Sequence, residues 1–300
     1  MKEFDKDLQE KIGDYLKTTG MSANDFGKAV GYSSTTISHY RSSIYKGDVA
    51  EIERKIRDYF ANIEEAEKAR HTVEYAETEV SKGVYNTIRL CHSRGGLAVE
   101  VGDAGIGKTM AAQKYVEDHP SAIYICITVC TNSVAAVLKE IARSLRVPAA
   151  GRKEDLWVRI NEVLKNGKRV LIVDESQHLP IKTVELLRAF SDQNKNLGIC
   201  FIGNHQSIFN NGLPEYAQIT SRTKMRNSRS IADIKLEDIK LIFPDLDEKS
   251  AKFLYQLSQT SQGLRGAFTV YETAMKAKNI TYDVLVDAVQ LTHAVGGLNE

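Results

Sequence analysis

The pattern of apolar and polar positions divides the chain into three regions. Residues 1–60 form short segments in which apolar residues recur at helical spacing. Residues 80–230 alternate strand-like apolar runs with helical patterns, whereas residues 233–300 show helical patterns alone. The charged segment 64–79 lies between the first two regions and is typical of a linker or an exposed helix.

The middle region contains five strand-like runs, of which the inner three are almost continuously apolar. Such runs are typical of parallel strands that are covered on both faces, and strands that alternate with helices predict right-handed crossovers. The predicted strands are 97–101, 122–128, 169–174, 199–203 and 228–231, and the predicted helices are 108–118, 133–146, 154–166 and 182–194. This region is therefore predicted to be an α/β domain with a parallel sheet.

The first region predicts four helices, and a turn at Gly31 joins the second to the third. Ser22, Ser33 and Asp48 stand where the N-caps of the last three helices are expected. A helix, a glycine turn and a second helix are the parts of a helix-turn-helix module. The third helix leaves polar side chains outside, where they can contact base edges or phosphates. These candidate DNA contacts are Ser34, Thr35, Thr36, His39 and Arg41.

Charge argues against strong DNA binding by this module alone. Residues 1–60 contain ten basic and ten acidic side chains, and neutralisation of phosphate charge supplies much of a protein's affinity for DNA. A helical module that binds another protein therefore remains an alternative.

The composition of the whole chain favours no partner, because 40 Lys and Arg residues are balanced by 39 Asp and Glu residues. Nucleic-acid binding therefore has to come from local patches. The N-terminus lacks the apolar stretch of a signal peptide, and no run approaches the ~18 apolar residues of a membrane span. The four cysteines lack C-x-x-C spacing, and we expect reduced thiols in the cytosol, with Cys126 and Cys200 inside buried strands.

The motif with the clearest chemistry is GDAGIGKT, residues 102–109, which fits the Walker A pattern G-x-x-x-x-G-K-[ST]. It follows a predicted strand and opens a predicted helix, as a phosphate-binding loop must. Lys108 is expected to neutralise the β- and γ-phosphates of ATP, and the Thr109 hydroxyl is expected to bind Mg²⁺. The predicted nucleotide-binding residues are Gly102, Asp103, Ala104, Gly105, Ile106, Gly107, Lys108, Thr109 and Met110.

Two carboxylates follow the apolar run that ends at Val173. Asp174 is expected to hold Mg²⁺, and Glu175 is expected to polarise the attacking water. The alternative is a solvated acidic turn after a strand. The next strand leads to Asn204, which we expect to contact the γ-phosphate and water as a sensor 1 residue, unless it only starts a turn.

Two further elements supply arginines. Residues 220–229 contain four basic residues and no acid, and Arg222 is our first choice, before Arg226, for an arginine finger that reaches a neighbouring subunit. A solvated basic face or a DNA contact remains possible for each. Arg265 opens a helix after Gly263 and matches the sensor 2 position, with a surface arginine as the alternative. The predicted catalytic residues are Lys108, Glu175, Asn204, Arg222 and Arg265.

Together these motifs resemble those of AAA+ ATPases, and in detail they are similar to the phage Mu B transposition protein family. The detail lies in DESQHL at residues 174–179, GNH at residues 203–205, and the spacing from Phe201 to Arg222. The N-terminal module resembles the lambda-repressor-like modules. The similarity to the Mu B family extends along the whole chain and includes this module. The resemblance implies an α/β AAA+ parallel-sheet ATPase core with an N-terminal helix-turn-helix module and a C-terminal helical lid.

The pattern along the chain predicts the domain boundaries, and the resemblance implies a second DNA surface. We expect a helix-turn-helix module over residues 1–62, a linker over 63–80, the AAA+ core over 81–232 and the lid over 233–300. Arg152 and Lys153 match a basic pair to which the family's DNA contact is attributed, although an ordinary solvated loop would look alike.

The function implied is that of an ATP- and Mg²⁺-dependent ATPase that assembles as an oligomer or helical filament on double-stranded DNA and activates a transposase. It would act in the cytosol of a bacterial host, on nucleoid DNA. One alternative is a replication-linked AAA+ ATPase such as a helicase loader, which would share every nucleotide residue. Another is a signalling switch that hydrolyses ATP slowly and binds protein through its N-terminal module.

Overall fold

The computed structural model of the protein describes residues 4–70, 75–206, 222–277 and 279–292. The chain forms two compact units, Met1–Thr72 and Val73–Glu300, which we call the N-terminal and C-terminal units. No helix within the described ranges is long and apolar enough to cross a membrane.

The N-terminal unit is built from four helices around one apolar core. The predicted caps are confirmed: the hydroxyls of Ser22 and Ser33 each accept a backbone N–H bond at 3.1 Å, and the Asp48 carboxylate accepts one at 3.1 Å. The helices are α1 (Lys6–Thr19), α2 (Ala23–Val30), α3 (Ser34–Arg41) and α4 (Val49–Arg70). Segment 64–79, for which the sequence allowed a linker or a helix, is therefore helical as far as Arg70, and residues 71–74 lie outside the described ranges.

The turn between α2 and α3 depends on two glycines. Gly31 has a φ of +83°, in the left-handed region that favours glycine. A Cβ atom on Gly27 would lie 2.7 Å from the carbonyl oxygen of Tyr32, so only glycine allows the two helices to approach this closely. Ile37 and Tyr40 of α3 are fully buried in the core of the unit, which leaves the opposite face of α3 outside.

The C-terminal unit contains a five-stranded parallel sheet in the order β2-β3-β4-β1-β5. The strands are β1 (Gly96–Gly102), β2 (Ala122–Cys126), β3 (Arg169–Asp174), β4 (Leu197–Gly203) and β5 (Thr223–Arg229). The helices around them are α5 (Glu79–Arg94), α6 (Lys108–Asp118), α7 (Val134–Ser144), α8 (Lys153–Leu164) and α9 (Ile181–Gln193). The predicted parallel α/β domain is confirmed, and the order places β4 between β1 and β3.

Two of the expectations for the strands are wrong. The fifth strand is Thr223–Arg229 rather than 228–231, because an edge strand with alternating burial needs no apolar run and its sequence TKMRNSR has none. Cys126 is exposed rather than buried, because it is the last residue of β2. Cys91 and Cys200 are the buried cysteines.

Two apolar cores cover the two faces of the sheet. One lies under α7, α8 and α9. The other includes α5 and α6 and continues into the terminal helices α10 (Leu236–Ile242), α11 (Glu248–Ser258), α12 (Gly263–Ala274) and α13 (Tyr282–Thr292). The terminal helices thus pack on the same core as the helix that follows the Walker A loop.

A buried charge interrupts this second core. Glu100 in β1 is 0% exposed and accepts hydrogen bonds from Arg229 Nε at 2.8 Å, Thr87 Oγ1 at 2.7 Å and Asn227 Nδ2 at 3.3 Å. These bonds join α5, β1 and β5 just before the Walker A loop. The pairing of Glu100 with Arg229 is not apparent from the sequence, in which Glu100 is one polar residue in an apolar run.

Candidate nucleotide-binding site

The loop between β1 and α6 has a backbone that its glycines permit. Gly105 and Gly107 have φ angles of +73° and +98°, in the left-handed region. A Cβ atom on Gly107 would meet no atom within 4 Å, so the space at the start of α6 is open. The N-terminus of an 11-residue helix beside an open loop fits a phosphate group.

Lys108 is held by the loop itself. Its Nζ donates to the carbonyl oxygens of Gly102 at 3.0 Å and Asp103 at 2.6 Å. Burial lowers the pKa of Lys108, and the carboxylates of Asp174 and Glu175 act in the opposite direction. A phosphate group would be a stronger partner for the ammonium group than these neutral carbonyls are.

The two predicted metal ligands are in contact. Thr109 Oγ1 donates to Asp174 Oδ2 at 2.8 Å, although 65 positions separate them in the chain. Asp174 is 2% exposed, and its other oxygen accepts the backbone N–H of Glu175 at 2.8 Å. The parallel register of β1, β4 and β3 explains the approach, because it brings the carboxyl ends of these strands to one edge of the sheet.

The oxygen atoms at this edge suit a magnesium ion. A hydroxyl and a carboxylate are hard ligands, which Mg²⁺ prefers together with water and substrate phosphates. Within the described ranges, no group of three or more His, Cys, Asp or Glu side chains could hold a metal ion by itself. Thr109 and Asp174 would therefore hold the ion together with the nucleotide, and the ion would neutralise charge on the phosphates.

Hydrogen bonds of Gln177 connect Glu175 to the end of the neighbouring strand β4. Glu175 has a φ of +55°, which is uncommon for a residue other than glycine. Gln177 Nε2 donates to Glu175 Oε2, and Gln177 Oε1 accepts the backbone N–H of Asn204 at 3.3 Å. One amide thus links the predicted base to the predicted sensor 1 residue.

Asn204 lies at the end of β4, between the strands that carry the two Walker motifs. Its Oδ1 accepts the N–H of Gln206 at 2.9 Å, so the side chain takes part in a turn. The strand order explains why this residue is near both motifs: Gly203, the residue before it, is paired with Val101.

Asp103 connects the Walker A loop to other parts of the chain through hydrogen bonds. Its backbone N–H donates to the carbonyl oxygen of Arg229 at 3.2 Å, and its Oδ2 accepts the N–H of Ile231 at 2.8 Å. His205 Nε2 lies 3.3 Å from its Oδ1. This carboxylate therefore ties the Walker A loop to the chain that follows β4 and β5, a role that the motif alone does not predict.

The lid contacts the loop through α12. The N–H of Arg265 donates to the carbonyl oxygen of Gly105 at 3.2 Å. Gly263 has a φ of +60°, and a Cβ atom there would lie 3.0 Å from the carbonyl oxygen of Ala104. Arg265 is exposed, and its backbone contact places it beside the Walker A loop.

Arg222 and Arg226 lie on a different part of the sheet. Arg222 directly precedes β5, whose first residue is paired with Leu97 near the start of β1, so it lies at the edge opposite the Walker A loop. Its Nη1 donates to Asp192 Oδ2 at 2.7 Å. Arg226 is exposed within β5. Arg222 is thus outside the nucleotide site of its own chain and could serve only that of another copy.

The candidate DNA contacts of the N-terminal unit lie along α3. Thr35, His39 and Arg41 are exposed, and Ser34 and Thr36 are half-buried. The Thr36 hydroxyl lies 2.9 Å from the Ser33 hydroxyl and thus belongs to the cap of α3. Three of the five predicted side chains are therefore exposed: Thr35 and His39 lie one turn apart on the outer face of α3, whereas Arg41 lies beside Gly13 of α1.

The candidate basic pair of the C-terminal unit opens α8. Arg152 Nε lies 3.5 Å from Asp155 Oδ2 and Lys153 Nζ lies 3.8 Å from Glu154 Oε1, and both basic side chains are more than half exposed. Arg159 donates to the carbonyl oxygens of Pro148 at 2.7 Å and Ala150 at 2.6 Å, which orders the preceding loop. The pair is accessible on an ordered segment.

Two residues of the site, Gln177 and Tyr124, were not predicted from the sequence. The Tyr124 hydroxyl donates to Asp174 Oδ2 at 2.9 Å. Burial, followed by the charge of Asp174, raises the pKa of Tyr124, so the hydroxyl remains a donor. Gln177 could have been suspected from its place two residues after Glu175. Tyr124 belongs to no motif, and only the pairing of β2 with β3 reveals it.

Comparison with known proteins finds sequences that are similar to this chain. The model of a protein family described as "AAA domain" matches residues 91–210 of this chain. The chain is 27% identical over 286 residues to the Mu-like prophage FluMu DNA transposition protein B of Haemophilus influenzae, covering 91% of this chain and 98% of that protein. It is 28% identical over 243 residues to the ATP-dependent target DNA activator B of Escherichia phage Mu, covering 78% of this chain and 77% of that protein.

A solved structure has the same fold. The ADP form of the ORC2 protein of Aeropyrum pernix matches with a TM-score of 0.53 at 14% identity, over 70% of this chain and 66% of that chain. The strand order, the Walker A loop and the similarity along nearly the whole chain lead to one conclusion. The chain has the AAA+ fold, and along nearly its whole length it is similar to the Mu B transposition proteins.

Proposed function

We propose that this protein is an ATP-dependent DNA-binding ATPase that assembles on double-stranded target DNA and activates a transposase. The observation that carries the proposal is the 2.8 Å contact between Thr109 and Asp174 beside the Walker A lysine. The names of the relatives, a DNA transposition protein B and an ATP-dependent target DNA activator, support the choice of DNA and transposase as partners.

In this proposal the Walker A loop binds the triphosphate, and Lys108 moves from its two carbonyl partners to the β- and γ-phosphates. Thr109 and Asp174 hold Mg²⁺. Glu175 orients the attacking water from a position that Gln177 holds, and Asn204 contacts that water or the γ-phosphate.

Two arginines complete the proposed site from different places. Arg265 reaches the γ-phosphate from the lid, since its own N–H already bonds the loop. Arg222 leaves Asp192 and acts on the nucleotide of a neighbouring copy, because it lies at the opposite edge of its own sheet. Hydrolysis would then require assembly, with Arg226 as the second choice for the same task.

DNA binding is assigned to two surfaces. The helix-turn-helix module, residues 1–62, would contact the duplex through α3, and its balanced charge predicts weak binding alone. The linker proposed at 63–80 begins within the last turns of α4 and ends at the start of α5. Beyond it, Arg152 and Lys153 of the AAA+ core, residues 81–232, would contact phosphates within the assembly, and residues 233–300 would form the lid. Because the relatives are phage and prophage proteins, we place this activity on DNA in the bacterial cytosol.

ATP hydrolysis by the full chain, measured with and without duplex DNA, tests the proposal. Wild type should be stimulated by DNA, and Lys108→Ala should abolish hydrolysis. Lys114→Ala is the matched control. Lys114 lies in the same helix as Lys108, but its ion-pair partners are Glu117 and Asp118, at the far end of that helix. Hydrolysis that stays at background with DNA and transposase present would contradict the proposal and favour a slow switch.

Assembly and partner need their own measurement. Light scattering should show oligomers that require both ATP and DNA, and Arg222→Ala should bind nucleotide but lose the stimulated hydrolysis. Strand transfer by the transposase should increase when the protein is added. Unchanged strand transfer together with co-purification of a replicative helicase would instead identify a helicase loader.

A further inference from the structure

The carboxylate of Asp174 receives a hydrogen bond from a residue outside both Walker motifs. Tyr124 lies in β2, opposite Ile172, and Cys126 lies opposite Asp174. Tyr124 and Asp174 are therefore on the same face of the sheet, and the tyrosine hydroxyl reaches Asp174 Oδ2 at 2.9 Å. Its half-buried ring packs on the apolar core of that face, which fixes its position.

The three hydrogen bonds to Asp174 come from different kinds of residue. Oδ1 accepts the N–H of Glu175, while Oδ2 accepts both the Thr109 and the Tyr124 hydroxyls. Thr109 is itself a proposed metal ligand, and its hydroxyl can offer a lone pair to the ion while its proton stays on Oδ2. Of the two donors to Oδ2, Tyr124 is therefore the one that is not also a proposed ligand of the ion.

We propose that Tyr124 is a positioning residue for the magnesium ion of the nucleotide site, because it holds the Asp174 carboxylate in the orientation that meets the ion or its water shell. The inference rests on the proposed function. Residues that orient metal ligands typically change metal affinity 10- to 100-fold when they are mutated. In this role Tyr124 acts only through its hydrogen bond to Asp174, so its substitution should change the response to Mg²⁺ and not the binding of the nucleotide itself.

The chain offers a matched control in Tyr85. This half-buried tyrosine of α5 donates through its hydroxyl to Asp118 Oδ2 at 3.0 Å. Asp118 ends α6, whereas Thr109 lies in its first turn, about 13 Å away along the helix. Tyr85→Phe therefore removes the same kind of bond to a carboxylate, but at a distance from the metal ligands.

Binding of a fluorescent, non-hydrolysable ATP analogue to the full chain separates the outcomes. The analogue is first bound in EDTA, and Mg²⁺ is then titrated until binding no longer increases. For Tyr124→Phe we expect the Mg²⁺ concentration at half-effect to rise about 10-fold, with binding in EDTA unchanged. Tyr124→Met, which removes the same hydroxyl with a different shape, should give the same rise, and Tyr85→Phe should match wild type.

Two results would overturn the inference. One is a Tyr124→Phe titration that superimposes on those of wild type and Tyr85→Phe. The other is a loss of analogue binding in EDTA, or unequal shifts for the phenylalanine and methionine variants, because either would indicate damaged packing. If Mg²⁺ does not change analogue binding to the wild-type protein, the proposed magnesium site itself is refuted, and with it the proposed function on which the role of Tyr124 depends.

Discussion

Replacement of Arg229 by methionine should destabilise the C-terminal unit more than replacement of its partner Glu100 by glutamine. Glu100 is 0% exposed, whereas the Arg229 side chain is 25% exposed. In Arg229→Met the carboxylate stays buried with Thr87 and Asn227 as its remaining partners, and loss of one partner of a buried pair costs about 3 kcal/mol or more. In Glu100→Gln the guanidinium can still reach water, so we expect a loss of about 1 kcal/mol.

The double variant decides whether the buried charge is the cause. Because it removes both charges, Glu100→Gln with Arg229→Met should be more stable than Arg229→Met alone, by about 1 kcal/mol. If the losses came from side-chain packing, the second substitution would add to the first.

Thermal unfolding of the full chain measures these differences. The transition of the C-terminal unit is identified as the one that ATP and Mg²⁺ raise, because a ligand stabilises only the unit that binds it. A loss of about 3 kcal/mol should lower that midpoint by about 6 to 12 °C. The reasoning is refuted if Arg229→Met melts no lower than Glu100→Gln, or if the double variant melts lowest.

Three other perturbations test separate parts of the structure. Gly105→Ala should weaken ATP binding at least about 10-fold, since its Cβ would strike a carbonyl of the lid; Gly167→Ala, also at positive φ but in open space, is the control for backbone strain alone. Gln177→Ala should lower kcat with KM unchanged, because Glu175 loses its partner, and steady-state kinetics with equal effects on both constants would contradict this. Asp5→Ala should destabilise the N-terminal unit by about 1 kcal/mol at neutral pH. A backbone N–H bond lowers the pKa of Asp5 below 3.8, so this difference should shrink as pH falls through that lowered pKa in acid-unfolding curves.

The sequence predicted the parts of the structure that depend on local chemistry. The helix after the Walker A loop is found at Lys108–Asp118, as predicted, because a glycine-rich loop and an apolar stripe define its start and its face. Ser22, Ser33 and Asp48 cap the helices that they were expected to cap, since an N-cap acts within its own first turn.

The sequence could not predict what depends on strand order. The contact of Thr109 with Asp174 was expected from the motifs, but the link from Glu175 to Asn204 through Gln177 requires β4 to lie beside β3. Tyr124 becomes part of the site only because β2 pairs with β3 in one register. The edge strand β5 was misplaced because its polar sequence carries no apolar signal.

Binding of a non-hydrolysable ATP analogue to wild type and Thr109→Val, each with Mg²⁺ and with EDTA, tests the central claim most directly. If Thr109 and Asp174 share a magnesium ion at the nucleotide, Mg²⁺ should strengthen binding to wild type, and this gain should be lost in Thr109→Val while binding in EDTA is kept. An equal gain from Mg²⁺ in both proteins would contradict the site described above.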